Sequence, residues 1–219
     1  MFYICLAIAI IIPYLICGIN PAIIATKLKT GKDIREFGSG NPGLTNTLRT
    51  QGKAVAIAVL LGDVLKGIIT ILFIKLLFPF LIEGDLTLFV WVAALCGVIG
   101  HMFPIYHKFK GGKAILVTVS VLFMIDWLSA IILLSLFILL VIITKYVSIG
   151  SIIAATCYPI CVYVIGSLVH NKSNIIIDTA FATAIALLLV YMHRSNIRRL
   201  FKGTEKKITD RAKFMEKDE

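Results

Sequence analysis

Charge is scarce in this chain. Asp, Glu, Lys and Arg make up 16% of its 219 residues, against 59% hydrophobic residues, and its mean hydropathy is +0.96. That balance lies outside the soluble range and points to one polytopic α-helical membrane bundle. Paired cysteine spacing is also missing. Cys5, Cys17, Cys96, Cys157 and Cys161 all fall in apolar runs, so neither a disulfide framework nor a metal-ligand set is expected. No basic segment precedes the first apolar run and no small-residue cleavage site follows it, so it reads as a spanning helix and not a secretory signal. A Walker A loop and an internal repeat are likewise absent.

The chain does hold long apolar segments, at 2–25, 54–80, 86–104, 114–125, 128–144, 149–169 and 175–191. Six approach the ~20 residues that a hydrocarbon core demands, and the fourth is short, ending at Asp126-Trp127. The expected fold is an all-α, polytopic transmembrane helix bundle of about seven membrane segments. The bundle domain is read as 1–207 and a charged cytoplasmic tail as 208–219. Lys and Arg follow every second segment: Lys27 to Lys53, Lys108 to Lys113, Lys145, and nine residues from Arg194 to Lys217. The intervening turns carry Glu83 and Asp85, Asp126, and a single Lys172. The positive-inside rule then puts the N-terminus outside and the C-terminus in the cytoplasm. It also accounts for much of the formal net charge of +10.

Three polar clusters fall at that cytoplasmic boundary, where they can converge on one site. The first is Gly38–Arg49, GSGNPGLTNTLR, which contains Ser39, Asn41, Thr45 and Asn46. Its glycines let backbone N–H groups approach a ligand, and the Arg49 fork matches two oxygens of a phosphate. An ordinary turn leading to a helix cap explains the same residues. In the second cluster, Lys110-Gly111-Gly112-Lys113 opens a helix with two glycines between two cations, a small anion cradle or a flexible positive-inside loop. His101 closes the preceding segment. The third cluster places His193 and Asn196 three apart on one helical face, within a stretch that could equally be a polybasic lipid anchor. Asp63 and Lys66, also three apart inside a span, read as an ion pair bracing the site.

Taken in order, GSGNPGLTN-x-x-R, DVLKG, GH-x-FP with KFKGGK, and HR-x-NI-x-RL-x-x-G-x-E-x-K resemble the bacterial acyl-phosphate:glycerol-3-phosphate acyltransferase family over nearly the whole chain. The resemblance implies an inner-membrane enzyme with its active site at the cytoplasmic face. It would move a fatty acyl group from acyl phosphate to the 1-hydroxyl of glycerol 3-phosphate, giving lysophosphatidic acid and phosphate at the start of phospholipid synthesis.

Carried onto this sequence, the resemblance makes Ser39, Arg49, His193 and Asn196 the catalytic set. Asn41, Thr45, Asn46, Lys110, Gly111, Gly112 and Lys113 would bind substrate and phosphate, with Asp63, Lys66, His101 and Glu205 as structural support. It implies no cofactor, no metal and no nucleic acid. The expected partners are the two substrates, membrane lipid and an acyl-phosphate-forming enzyme. The His-x4-Asp signature of acyl-CoA-dependent enzymes is absent, since Tyr106, Gly112, Ile175 and Arg198 stand five positions beyond the four histidines. The chain departs from the family after Lys113, where Ala114 stands in place of glycine, and at Leu44, where a small residue is usual. Those departures leave a non-catalytic or altered-acceptor relative as an alternative. Asn20-Pro21-Ala22 and Asn41-Pro42-Gly43, similar to water-channel turns, leave a small-solute or anion transporter as another.

Overall fold

The structure, a computed structural model, describes residues 1–211. The expected tail at 208–219 therefore falls mostly outside the described residues. Helices and turns account for all regular structure among the described residues. The chain divides into two compact units, Met1–Ile125 and Asp126–Glu219.

The first unit contains α1 (Phe2–Gly18), α2 (Pro21–Thr30), α3 (Leu44–Thr50), α4 (Lys53–Leu77), α5 (Thr87–Met102) and α6 (Ile115–Ile125). The first apolar run, expected as one helix, is interrupted between α1 and α2 at Ile19-Asn20. Pro21 has no N–H to continue the α1 ladder, and Asn20 starts a new helix by accepting from the Ile23 N–H at 3.1 Å. Among the described residues, six helical stretches are long and apolar enough to cross a membrane; the α1–α2 pair counts as one. Helix α6, with 11 residues, is the expected short segment.

Without water to drive apolar faces together, membrane helices pack through small residues that let backbones approach. That is the pattern here. A Cβ at Gly100 of α5 would lie 2.2 Å from the Tyr14 carbonyl oxygen of α1. At Gly62 of α4 it would lie 2.6 Å from the ring of Pro21. Tyr14 also donates to the Phe103 carbonyl at 2.7 Å, fixing the end of α5 against α1.

The second unit holds α7 (Trp127–Thr144), α8 (Val147–Leu168), α9 (Ile175–Met192) and the short α10 (Arg194–Phe201). Asp126 terminates the preceding apolar run by capping α7, accepting from the Ser129 N–H at 3.2 Å and the Ser129 hydroxyl at 2.6 Å. Alternating helix directions put Asp126, His170 and Asp178 at one end of this unit. Lys145, His193 and the start of the tail lie at the other, where the Ile208 N–H donates to the Lys145 carbonyl at 2.8 Å.

The α1–α5 crossing supplies a test. Gly100→Ala places a methyl against main chain that cannot retreat, so it should cost about 1–3 kcal/mol, read as a lower thermal midpoint in lipid nanodiscs. An unchanged midpoint would mean that the two helices do not pack this closely.

Candidate functional site

The first loop is fastened from below. Ile34, fully buried, joins Ala22, Ile23 and Val59 in an apolar cluster against which Phe37 and Leu44 pack. Leu44, where the resemblance led to the expectation of a small residue, thus has a packing role. Asn46 is only 2% exposed, and its amide is occupied at both ends. Its Oδ1 accepts from the Ser39 N–H at 3.0 Å and its Nδ2 donates to the Phe37 carbonyl at 3.0 Å. Asn46 was expected among the phosphate ligands; in the structure it braces the loop that carries Ser39. Gly38, at φ +59°, makes this possible, because a Cβ there would lie 2.4 Å from Asn46 Oδ1.

The second loop folds back on the end of α5. A helix leaves its last carbonyls unpaired. Gly112 N–H donates to the His101 carbonyl at 3.1 Å and Gly111 N–H to the Met102 carbonyl at 3.0 Å, satisfying two of them. These amides were expected to be free for phosphate, and they are not. Glycine is required because the backbones nearly touch: a Cβ at Gly111 would lie 2.0 Å from the His101 carbonyl oxygen. Ala114 follows in the left-handed region at φ +60°, where a glycine would sit without strain.

One contact joins the loops, and a second ties the first loop to the α1–α2 break. Arg35 grips Asp33 along one edge, Nε to Oδ1 at 3.0 Å and Nη2 to Oδ2 at 2.6 Å. Its Nη1 donates across to the carbonyls of His107 at 3.1 Å and Lys110 at 3.3 Å. The hydrogen bonds from Arg35 hold the Asp33 carboxyl below its usual range, and the carboxylate in turn raises the guanidinium. The second contact is Asn20 Nδ2, which donates to the Pro42 carbonyl at 3.3 Å, so the two Asn-Pro turns meet each other directly.

Beneath the junction lies the ion pair expected from sequence, with a third member. Lys66 Nζ is 2.8 Å from Asp63 Oδ1, 2.8 Å from His101 Nδ1 and 2.8 Å from the Ile19 carbonyl. All three side chains are buried. The Asp63 oxygen makes an ion contact and not a well-aligned hydrogen bond. The Ile19 carbonyl is available because the α1–α2 break releases it.

Of the remaining candidates in this unit, Ser39 is exposed, while Asn41 and Thr45 are half-buried on the first loop. Arg49 is half-buried on the last turn of α3, and its guanidinium has no hydrogen bond or ion pair among the described residues. Lys110 is exposed and Lys113 half-buried on the second loop.

The third cluster belongs to the second unit. His193 is 2% exposed and its Nδ1 lies 2.8 Å from the Leu189 carbonyl. A carbonyl only accepts, so Nδ1 carries a hydrogen. Asn196 Nδ2 donates to Glu205 Oε1 at 2.7 Å and Arg199 Nε to Glu205 Oε2 at 2.6 Å. Burial pulls the Glu205 carboxyl up, but donors on Asn196, Arg199 and Ser148 outweigh it and hold the group below its usual range. The Ser148 hydroxyl is close enough to favour the carboxylate without forming a well-aligned bond.

Sequence reasoning missed Arg35, Asn20 and Ser148. Arg35 looked like one more positive-inside cation; the Asp33-x-Arg35-Glu36 spacing of a capped turn was the available signal.

The glycerol-3-phosphate acyltransferase family matches residues 7–203, running through both units. A glycerol-3-phosphate acyltransferase of Clostridioides difficile is 39% identical over 198 residues, covering 90% of this chain and 93% of that protein. One from Staphylococcus carnosus is 38% identical, covering 91% and 96%. Among solved structures, the glycerol 3-phosphate form of PlsY, an integral membrane glycerol 3-phosphate acyltransferase, superposes with a TM-score of 0.76. It is 30% identical and covers 92% of this chain and 94% of that one. Its lysophosphatidic acid form gives 0.73 at 28% identity.

The Arg35 strut makes the second loop a sensitive reporter. Arg35→Ala should speed tryptic cleavage after Lys108 or Lys110 by about tenfold, the effect of losing roughly 1.4 kcal/mol of local closure. Arg35→Lys should recover little of this, because an ammonium lacks the fork. Cleavage at the wild-type rate in Arg35→Ala would contradict the strut.

Proposed function

The chain belongs to the glycerol-3-phosphate acyltransferase family and is a membrane acyltransferase, and we propose that it moves a fatty acyl group from an acyl phosphate to the 1-hydroxyl of glycerol 3-phosphate. The observation that carries this reading is the Arg49 guanidinium, without a hydrogen bond or ion pair among the described residues, on the last turn of the helix whose Asn46 braces the glycine loop. A half-buried cation with its fork unused calls for an anion, and both reactants carry phosphate.

An acyl phosphate is already activated, so catalysis is mainly a matter of holding two anions and stabilising charge at the carbonyl. Arg49 and Lys113 neutralise phosphate, with Ser39, Asn41, Thr45 and Lys110 as further ligands. His193 and Asn196 orient the acceptor. The oxygen of the 1-hydroxyl attacks the acyl carbonyl carbon, and the bond from that carbon to the phosphate oxygen breaks with its electron pair on phosphate. The hydroxyl proton passes to a phosphate oxygen or to His193. Glu205, held ionised, fixes Asn196. No acyl-enzyme forms, since Ser39 has no His–carboxylate pair among its hydrogen-bond partners.

Each unit taken by itself has a basic end and an end without such a cluster, and the positive-inside rule assigns the basic ends to the cytoplasm of a bacterial inner membrane. An enzyme that forms acyl phosphates must supply the donor.

Arg49→Ala should lower kcat/KM by about 10²–10³-fold with acyl phosphate and glycerol 3-phosphate, at an unchanged thermal midpoint. Labelled acyl phosphate should leave no covalent label on the wild-type protein. Activity within a few-fold in Arg49→Ala, or an acyl group trapped on Ser39, would overturn the assignment.

A further inference from the structure

Lys66 does more than balance Asp63. An ammonium has hydrogens to give and no lone pair to receive, and that of Lys66 stands 2.8 Å from the Asp63 carboxylate. The nitrogen 2.8 Å away, His101 Nδ1, must therefore be an acceptor. That fixes the ring as the neutral tautomer with its hydrogen on Nε2. A histidine deep in a helix bundle would ordinarily turn that hydrogen to a nearby carbonyl. His101 does not. It is 3% exposed, and its only hydrogen bond among the described residues is the one at Nδ1.

The position of Nε2 gives the orphaned hydrogen a purpose. A Cβ built on Gly112 would stand 2.3 Å from Nε2 and 2.9 Å from the Pro42 carbonyl oxygen. The ring edge thus emerges at the seam where the two glycine loops meet, one residue before Lys113. The nearby carbonyls already have donors: Pro42 takes Asn20 Nδ2, Met102 takes the Gly111 N–H, and the carbonyl of His101 itself takes the Gly112 N–H. A ring N–H without a hydrogen bond among the described residues, beside a cationic seam where each nearby carbonyl already has one donor, is suited to an oxyanion.

We propose that His101 contacts substrate: its Nε2–H, held in that tautomer by Lys66, donates to a phosphate oxygen bound between the Gly38–Gly43 and Lys110–Lys113 loops. This rests on the reading that these loops hold a phosphate-bearing reactant, and it assigns to His101 a role beyond support. A neutral donor suits the task, because it recognises the anion without tightening it so far that product phosphate cannot leave. Asp63 and Lys66 are positioning residues that act through the ring. The phosphate could be that of glycerol 3-phosphate or that of the acyl phosphate, so the test separates them.

Protein with 15N-labelled histidine in lipid nanodiscs, assigned by comparison with His101→Gln, should show His101 protonated at Nε2 and bare at Nδ1. The Nε2 signal should move on adding inorganic phosphate and either glycerol 3-phosphate or a non-hydrolysable alkyl phosphonate analogue of the donor. Whichever moves it identifies the reactant held there. In kinetics, His101→Leu should raise KM for that reactant about tenfold with a smaller change in kcat. His101→Gln, whose amide nitrogen can donate from a similar position, should recover most of the loss. Lys66→Met should release the tautomer, giving signals for both ring forms. A ring protonated at Nδ1, or an Nε2 signal indifferent to all three anions, overturns the proposal even if His101→Leu fails to fold. Wild-type protein that responds to phosphate but does not turn over acyl phosphate would leave this assignment standing and remove the donor from the proposed function.

Discussion

An ammonium inside an apolar helix has to be given acceptors there, and that requirement organises the first unit. Lys66 meets it with a carboxylate from its own helix, a ring nitrogen from α5 and a main-chain carbonyl from the gap between α1 and α2. The three partners come from three separate stretches of chain. Satisfying one charge therefore fixes the break in the first span, the end of α5 and the face of α4 in a single arrangement. Breaking one contact would leave a buried charge uncompensated, which is why such a cluster is rigid.

Both glycine loops grow from that arrangement. The first leaves α2, whose capping residue Asn20 follows the carbonyl that Lys66 holds; the second leaves α5, whose penultimate residue is the ring that Lys66 holds. Glycines then let the main chain of the second loop pair with the end of α5, and Arg35 bridges from the first loop to the second. The side chains of Asp33, Arg35, Glu36 and Asn46 and the amides of Gly111 and Gly112 are occupied within the protein. What remains open to a ligand is a small set, with the Arg49 fork foremost.

Much of the fold was legible in the sequence because spans are a matter of length and hydropathy, which one chain displays openly. The six long spans, the short α6 and the halt at Asp126 all follow from that reading. The break at Ile19-Asn20 was harder, since apolar residues continue through it and only Asn20-Pro21 marks the new cap. Within the site, residue types suggested phosphate chemistry without saying which groups would be occupied. Asn46 reads as a ligand until its two amide ends are seen on Ser39 and Phe37, and the Gly111 and Gly112 amides read as free until α5 is seen to end beneath them. These are tertiary facts that no local pattern encodes. His101 was legible as support but not as an oriented donor, because its tautomer depends on a lysine 35 positions away in sequence.

The most direct test replaces the buried charges without leaving either one alone. In the double substitution Asp63→Asn with Lys66→Met, amide hydrogen exchange at Gly111 and Gly112 should accelerate together, while exchange in α9 stays as in the wild type. Protection of those two glycine amides at the wild-type level would contradict the claim that the Lys66 cluster sets the loops.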